Sequence, residues 1–198
     1  MDILLVFTHP TKDSFAGSIC AQLQTRLEAD GHAVRLLDLY GEAFDPVLGL
    51  DAWRSHRADR RHHDTIDPHV AALLAADGLV LVCPTWWYGL PAMLKGWIDR
   101  VFQPQVGFAI EDGRFRIRYL PKLKRFAVIT TYGSPRIFIE WLVGDPVRRQ
   151  LMRGLVLQFA RGVRKAWAPI YAADTRSEAD LVGARGRAVE KVAKLFAR

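Results

Sequence analysis

Three short segments hold the residue types that could bind a ligand, and the densest is Pro84-Thr85-Trp86-Trp87-Tyr88-Gly89. Before it stands Leu79-Val80-Leu81-Val82-Cys83, an apolar, β-branched run of the kind that forms a buried parallel strand. After it, Leu90, Met93, Leu94, Trp97, Ile98, Val101 and Phe102 recur at helical spacing, with Pro91 where a first helical turn tolerates proline. A single tryptophan would read as core or interface packing. Three adjacent rings between a strand and a helix instead suit a flat, extended π-system. Open α/β sheets bind ligands at the carboxyl ends of their strands, which is where this connection must lie.

The second segment is Thr8-His9-Pro10-Thr11-Lys12-Asp13-Ser14-Phe15, after the first apolar run Ile3–Phe7. Ser14 is a natural N-cap for a helix carrying Phe15, Ile19 and Leu23. The free N–H groups and positive dipole end of that helix form an anion site, to which His9 and Ser14 can add donors. The segment lacks G-x-G-x-x-G, so its backbone does not have the glycines of a nicotinamide-binding Rossmann turn, and Asp38 reads as a strand-end residue. The third segment is Thr130-Thr131-Tyr132-Gly133-Ser134-Pro135, small and rich in hydroxyls, whose backbone amides can approach ring carbonyls. Phosphate donors, aromatic walls and ring-facing amides at one sheet edge describe a flavin site.

The elements that must position these segments follow from periodicity. Strand cores are expected at Ile3–Phe7, Val34–Leu37, Leu79–Cys83 and Phe126–Thr130, with a weaker one in Val163–Tyr171 whose Pro169 suits a sheet edge. Helices are expected at Phe15–Ala29, Pro68–Ala76, Pro91–Phe102, Pro146–Phe159 and Glu178–Phe196. This alternation specifies an α/β fold with three layers: a doubly wound, five-stranded parallel sheet of flavodoxin-like order 2-1-3-4-5, in a single domain spanning 1–198. Asp45–Asp67, with Arg54, His56, Arg57, Arg60, Arg61, His62 and His63, reads as a solvated loop rather than a metal site. Gly107–Ile117 reads as a hairpin turning at Asp112-Gly113.

Bulk properties narrow the function classes. Half of the 198 residues are hydrophobic and a quarter are charged, a globular composition. No apolar run reaches the length of a membrane span, and the first residues read as a strand rather than a leader, so a cytoplasmic protein without membrane insertion is expected. Cys20 and Cys83 read as reduced, buried thiols. The net charge of +7 is spread along the chain with no nucleic-acid motif, so anionic cofactors and substrates, not nucleic acid, are the expected partners.

At His9-Pro10, Ser14-Phe15, the run from Pro84 to Phe102, Gly107-Phe108-Ala109 and Thr130-Thr131-Tyr132-Gly133-Ser134, the chain resembles the flavodoxin-fold NAD(P)H:quinone oxidoreductases, a family that includes ancillary subunits of potassium-efflux systems. The resemblance implies that His9, Ser14 and Phe15 contact the phosphate or ribityl chain of FAD or FMN. It implies that Pro84, Thr85, Trp86, Trp87 and Tyr88 line the isoalloxazine, and that Thr130, Thr131, Tyr132 and Gly133 hold its other edge. Trp87, Phe108 and Tyr132 are the expected substrate pocket. Two departures stand out. Tyr132-Gly133 replaces the usual glycine pair, and Arg136–Asp145 holds neither the Tyr nor the His that some quinone reductases use.

The expected activity is two-electron transfer from a nicotinamide donor, NAD(P)H, to a quinone or related small electrophile by a ping-pong mechanism. The flavin carries the hydride and no protein residue is catalytic; no metal is required. A homodimer is expected from the family. The alternative is a flavin-binding regulatory subunit of a membrane ion-efflux system, which NAD(P)H oxidation with a quinone would separate from the enzyme.

Overall fold

The apolar runs become strands because they bury almost every side chain. The computed structural model describes residues 1–58, 66–111, 114–117, 120–159 and 161–197. Its strands are β1 (Asp2–Phe7), β2 (Ala33–Asp38), β3 (Gly78–Pro84), β4 (Phe108–Glu111), β5 (Arg114–Ile117), β6 (Arg125–Thr131) and β7 (Arg164–Ile170). Five of them form one parallel sheet in the order β2-β1-β3-β6-β7. Counted among themselves, these five have the expected order 2-1-3-4-5. The central strand β3 is buried at all seven positions, and Pro169 does lie in an edge strand.

The helices are α1 (Phe15–Ala29), α2 (Leu50–Arg57), α3 (Asp67–Ala75), α4 (Ala92–Val101), α5 (Pro146–Arg149) and α6 (Glu178–Phe196). Because strand side chains alternate between faces, the sheet supports two separate cores. Ile3, Leu5, Phe7, Val80, Val82, Ala127 and Ile129 meet Ile19, Leu23 and Leu27 of α1 and Val189, Val192 and Phe196 of α6. Leu4, Val6, Leu79, Leu81, Phe126 and Val128 meet Val70 and Leu73 of α3 and Leu94, Trp97 and Val101 of α4. The result is the expected three-layer, flavodoxin-like arrangement. No described helix is long and apolar enough to cross a membrane.

Three expectations need correction or a boundary. Part of Asp45–Asp67 is helix α2, not loop. Its polar sequence hides one buried residue, Ala52, and its charges suit a helix, with Asp51 in the first turn and Arg54, His56 and Arg57 in the last. Arg60, Arg61, His62 and His63 lie outside the described residues. The single helix expected over Pro146–Phe159 is instead α5 followed by a π-helical stretch, Gln150–Gly154, and a 3-10 turn, Leu155–Gln158. Gly154, a poor helix former, stands at the change of winding. β4 and β5 pair as the expected hairpin, Phe108 opposite Ile117; its Asp112-Gly113 turn lies outside the described residues.

Candidate functional site

The loop after β1 is built to leave amides free at the start of α1. The Ser14 hydroxyl accepts from Gly17 N–H at 3.0 Å and donates to the Thr11 carbonyl at 2.9 Å. Ser18 N–H reaches the Ser14 carbonyl at 2.9 Å. The N–H groups of Phe15 and Ala16 therefore have no partner within the helix. His9 Nδ1 lies 2.9 Å from the Thr11 carbonyl oxygen and 3.1 Å from the Thr11 amide nitrogen, which anchors the imidazole to the loop and leaves Nε2 as its second polar atom. The loop lies hard against the helix: a Cβ at Gly17 would stand 1.9 Å from the Lys12 carbonyl oxygen. Thr8, where the loop begins, buries a hydroxyl with no partner. Asp38 accepts from Gly41 N–H at 3.0 Å and pairs with Lys12 at 3.2 Å, so it is the strand-end residue that the sequence indicates.

The aromatic segment after β3 is a tight two-residue turn. Trp86 N–H donates to the Gly89 carbonyl at 3.1 Å and Gly89 N–H returns to the Trp86 carbonyl at 3.0 Å. Trp87 and Tyr88 both take left-handed backbone, with φ of 50° and 60°, the geometry normally given to Asn-Gly. Pro84 is buried in register with Thr131. Thr85 ties the turn to the next strand, its N–H and its hydroxyl both donating to the Thr131 carbonyl at 2.9 Å. Trp87 is 95 % exposed.

The third segment ends β6. Thr130 is fully buried, its hydroxyl 4.0 Å from the Cys83 sulfur, so its side chain belongs to the core. Tyr132 is also buried: its ring stacks on Tyr171 with centroids 5.1 Å apart, and its hydroxyl donates to Asp145 Oδ1 at 2.6 Å. Burial, together with the Asp145 carboxylate, pushes the Tyr132 phenol far above its ordinary range. Tyr132 thus lies in the wall of the site, where it was expected, with its ring packed on Tyr171 and its hydroxyl held by Asp145. Gly133 lies close under Asp174: a Cβ there would stand 2.3 Å from Oδ2 of that exposed side chain, which would have to turn aside.

These segments converge. The rings of His9 and Trp86 have centroids 6.4 Å apart, which joins the first loop to the second. Thr85, Trp86, Trp87 and Tyr88 share a concavity of about 320 Å³ with Tyr132, Gly133, Ser134, Ile139 and Asp174. Phe108 is not brought there within the chain: it packs edge-on to His56, centroids 6.3 Å apart, and borders a different concavity with Phe102 and Leu151. Asp174 and Ile139 escaped the sequence reading. The only signal for Asp174 was its place just past the carboxyl end of the fifth sheet strand. Free amides at a helix start, an unpartnered buried hydroxyl, indole faces and a glycine-lined edge together fit a phosphate-bearing planar ligand such as a flavin.

The sequence profile of a family described as having the flavodoxin-like fold matches residues 1–158. A protein of Escherichia coli (strain K12), called an uncharacterized NAD(P)H oxidoreductase, YcaK, is 39 % identical over 114 residues, 56 % of this chain and 56 % of that protein. The chain thus spans little more than half the length of that relative. A protein of Beijerinckia indica named FMN-dependent NADH:quinone oxidoreductase is 29 % identical over 180 residues, 82 % of this chain and 86 % of its own. Among solved structures, Smu.1420 from Streptococcus mutans UA159 superposes with a TM-score of 0.85 at 28 % identity, covering 98 % of this chain and all of that one.

Proposed function

We propose, from the premise that this chain belongs to the flavodoxin-fold NAD(P)H:quinone oxidoreductase family, that it is a cytoplasmic flavoenzyme reducing quinones or related small electrophiles with NAD(P)H. The observation that carries the reading is the convergence of the phosphate loop, the aromatic turn and the Gly133 edge at the carboxyl ends of β1, β3 and β6. FMN is the cofactor we favour, in keeping with the name of the Beijerinckia relative.

A bound flavin would supply the capacity to accept a hydride and pass two electrons onward. The chain's own residues do the rest. The N–H groups of Phe15 and Ala16, with the His9 imidazole beside them, would hold the phosphate, and the Ser14 cap keeps those amides pointing outward. Trp86 supplies a wall for the ring system, while Thr85 fixes that wall to β6 through two hydrogen bonds. Gly133 and Ser134 bring backbone to the far edge, where amide donors would stabilise negative charge. Nicotinamide donor and acceptor use the one concavity in turn, which gives ping-pong kinetics. The Tyr132 hydroxyl is committed to Asp145 and so is not a free proton donor toward the concavity.

Trp87, Ile137, Trp141 and Leu142 leave an exposed apolar surface beside the site, which a second copy of the chain would cover as a homodimer. The regulatory-subunit alternative gains no observation among the described residues. The test is flavin titration followed by steady-state NAD(P)H oxidation. One flavin per chain with quenched fluorescence, and parallel double-reciprocal lines with a quinone, are expected. Absence of binding to either FMN or FAD at micromolar concentration would overturn the reading, whereas binding without quinone turnover would leave the regulatory subunit.

A further inference from the structure

A concavity of about 1140 Å³ runs along the open edge of β7 and is distinct from the aromatic site. Its floor is the strand itself, with Arg164 and Lys165. One wall is α5 and the turns after it, with Arg148, Arg149 and Arg153, and the other is α6, with Lys191 and Lys194. The carboxylates that border it are already engaged. Glu140 takes Arg136 at 2.9 Å and the Tyr171 hydroxyl at 3.0 Å, and Asp145 takes the Tyr132 hydroxyl and the Arg148 N–H on Oδ1, its Oδ2 being buried without a partner. Lys194 pairs with Glu190 at 3.7 Å. Among the described residues, Arg148, Arg149, Arg153, Arg164, Lys165 and Lys191 have no carboxylate within 4.0 Å. All six are exposed and face one groove from three sides.

Like charges gathered around a concave space repel one another, and the walls focus their field onto whatever enters. We infer that this groove binds a chain of phosphates, either free polyphosphate or the polyphosphate arm of a nucleotide. The lining argues for that chemistry over other polyanions. A single-stranded nucleic acid would draw affinity from exposed rings on which its bases could stack, but the groove's aromatics, Trp167 and Tyr171, are both buried. An acidic peptide would gain its specificity from side-chain anchor pockets, yet beside Arg164 and Lys165 the floor offers Ala166, buried Trp167 and half-buried Pro169. What remains is a dense array of guanidinium and ammonium donors, which suits closely spaced phosphate oxygens.

The experiment is calorimetric titration of the purified protein with inorganic tripolyphosphate, adenosine triphosphate, a single-stranded oligonucleotide and polyglutamate, each at low and high salt. The comparison is the double variant Arg153→Glu/Lys191→Glu, with Arg153→Gln/Lys191→Gln as a milder form should charge reversal disturb folding. Tripolyphosphate should bind saturably to the wild type and weaken about tenfold or more both with salt and in the variants. Flavin binding should be the same in all three proteins. Tighter binding of adenosine triphosphate than of tripolyphosphate assigns the nucleotide-borne chain, and equal or weaker binding assigns the free one. The inference is overturned if tripolyphosphate does not saturate, if the variants bind it as the wild type does, or if oligonucleotide or polyglutamate outcompetes it.

Discussion

Trp87 occupies a backbone position that glycine or asparagine would fill at least cost. Its φ of 50° and the 60° of Tyr88 place two bulky residues in left-handed conformation, at about 1–2 kcal/mol each. Packing does not repay Trp87, which is 95 % exposed. Such strain persists where a ligand or partner uses the side chain. Trp87→Asn, which tolerates the same turn, should therefore stabilise the isolated chain by about 1 kcal/mol while raising the KM for the acceptor. Denaturant unfolding and steady-state kinetics measure the two effects; a loss of stability would show that the indole is a packing residue. Tyr132 behaves oppositely. Tyr132→Phe keeps the stacked ring but removes the donor to Asp145, whose other oxygen is already buried without a partner. It should cost about 1–3 kcal/mol of stability and leave most turnover intact, read by a melting curve beside kcat. A collapse of kcat with the melting temperature preserved would instead give the hydroxyl a proton-transfer role.

Among the elements, the start of α1 shows how tightly the phosphate loop is specified. Alanine is a better helix former than glycine by about 1 kcal/mol, yet a Cβ at Gly17 would collide with the Lys12 backbone. Gly17→Ala should displace the loop and weaken flavin affinity more than tenfold, and more than Ser14→Ala, which removes only a cap of about 1 kcal/mol. Fluorescence titration ranks the two variants; equal affinities would place the phosphate elsewhere. The sheet strands were legible because a parallel strand buried on both faces is a continuous apolar run, as β3 shows at every position. The loops of the site were legible for the same reason, since their location follows from the strands. Less so was the stretch from Phe138 to Gln158, whose π-helical and 3-10 windings have no sequence period of their own. The direction of Tyr132 was likewise hidden, because Tyr171 and Asp145 hold it from segments distant in the pattern. Helix α2 was hidden by its own polarity, with only Ala52 turned inward.

At the scale of the whole molecule, each face of the sheet encloses one thiol, Cys83 on the face of α3 and α4 and Cys20 on the face of α1 and α6. Burial pushes both from an ordinary 9.0 up to about 12, with Asp38 adding to the effect at Cys20. Above the ordinary value the unfolded chain releases these protons while the folded chain keeps them. Stability from this source is therefore complete below about pH 9 and lost progressively as pH rises toward 12, at about 1.4 kcal/mol per pH unit for each thiol. Tyr132 and Tyr171, also raised by burial and by their carboxylate partners, add to the slope only above about pH 10. The interval just above pH 9 thus isolates the cysteines. Urea unfolding across it should show a steep alkaline decline in the wild type and a much flatter one in Cys20→Ala/Cys83→Ala. The cavities left by the two substitutions lower stability at every pH but leave the slope untouched. Thiol reagents at neutral pH should correspondingly modify neither cysteine until the chain is unfolded. An equally steep decline in the double variant would mean that the folded interior accommodates thiolates and that alkaline loss begins elsewhere in the molecule.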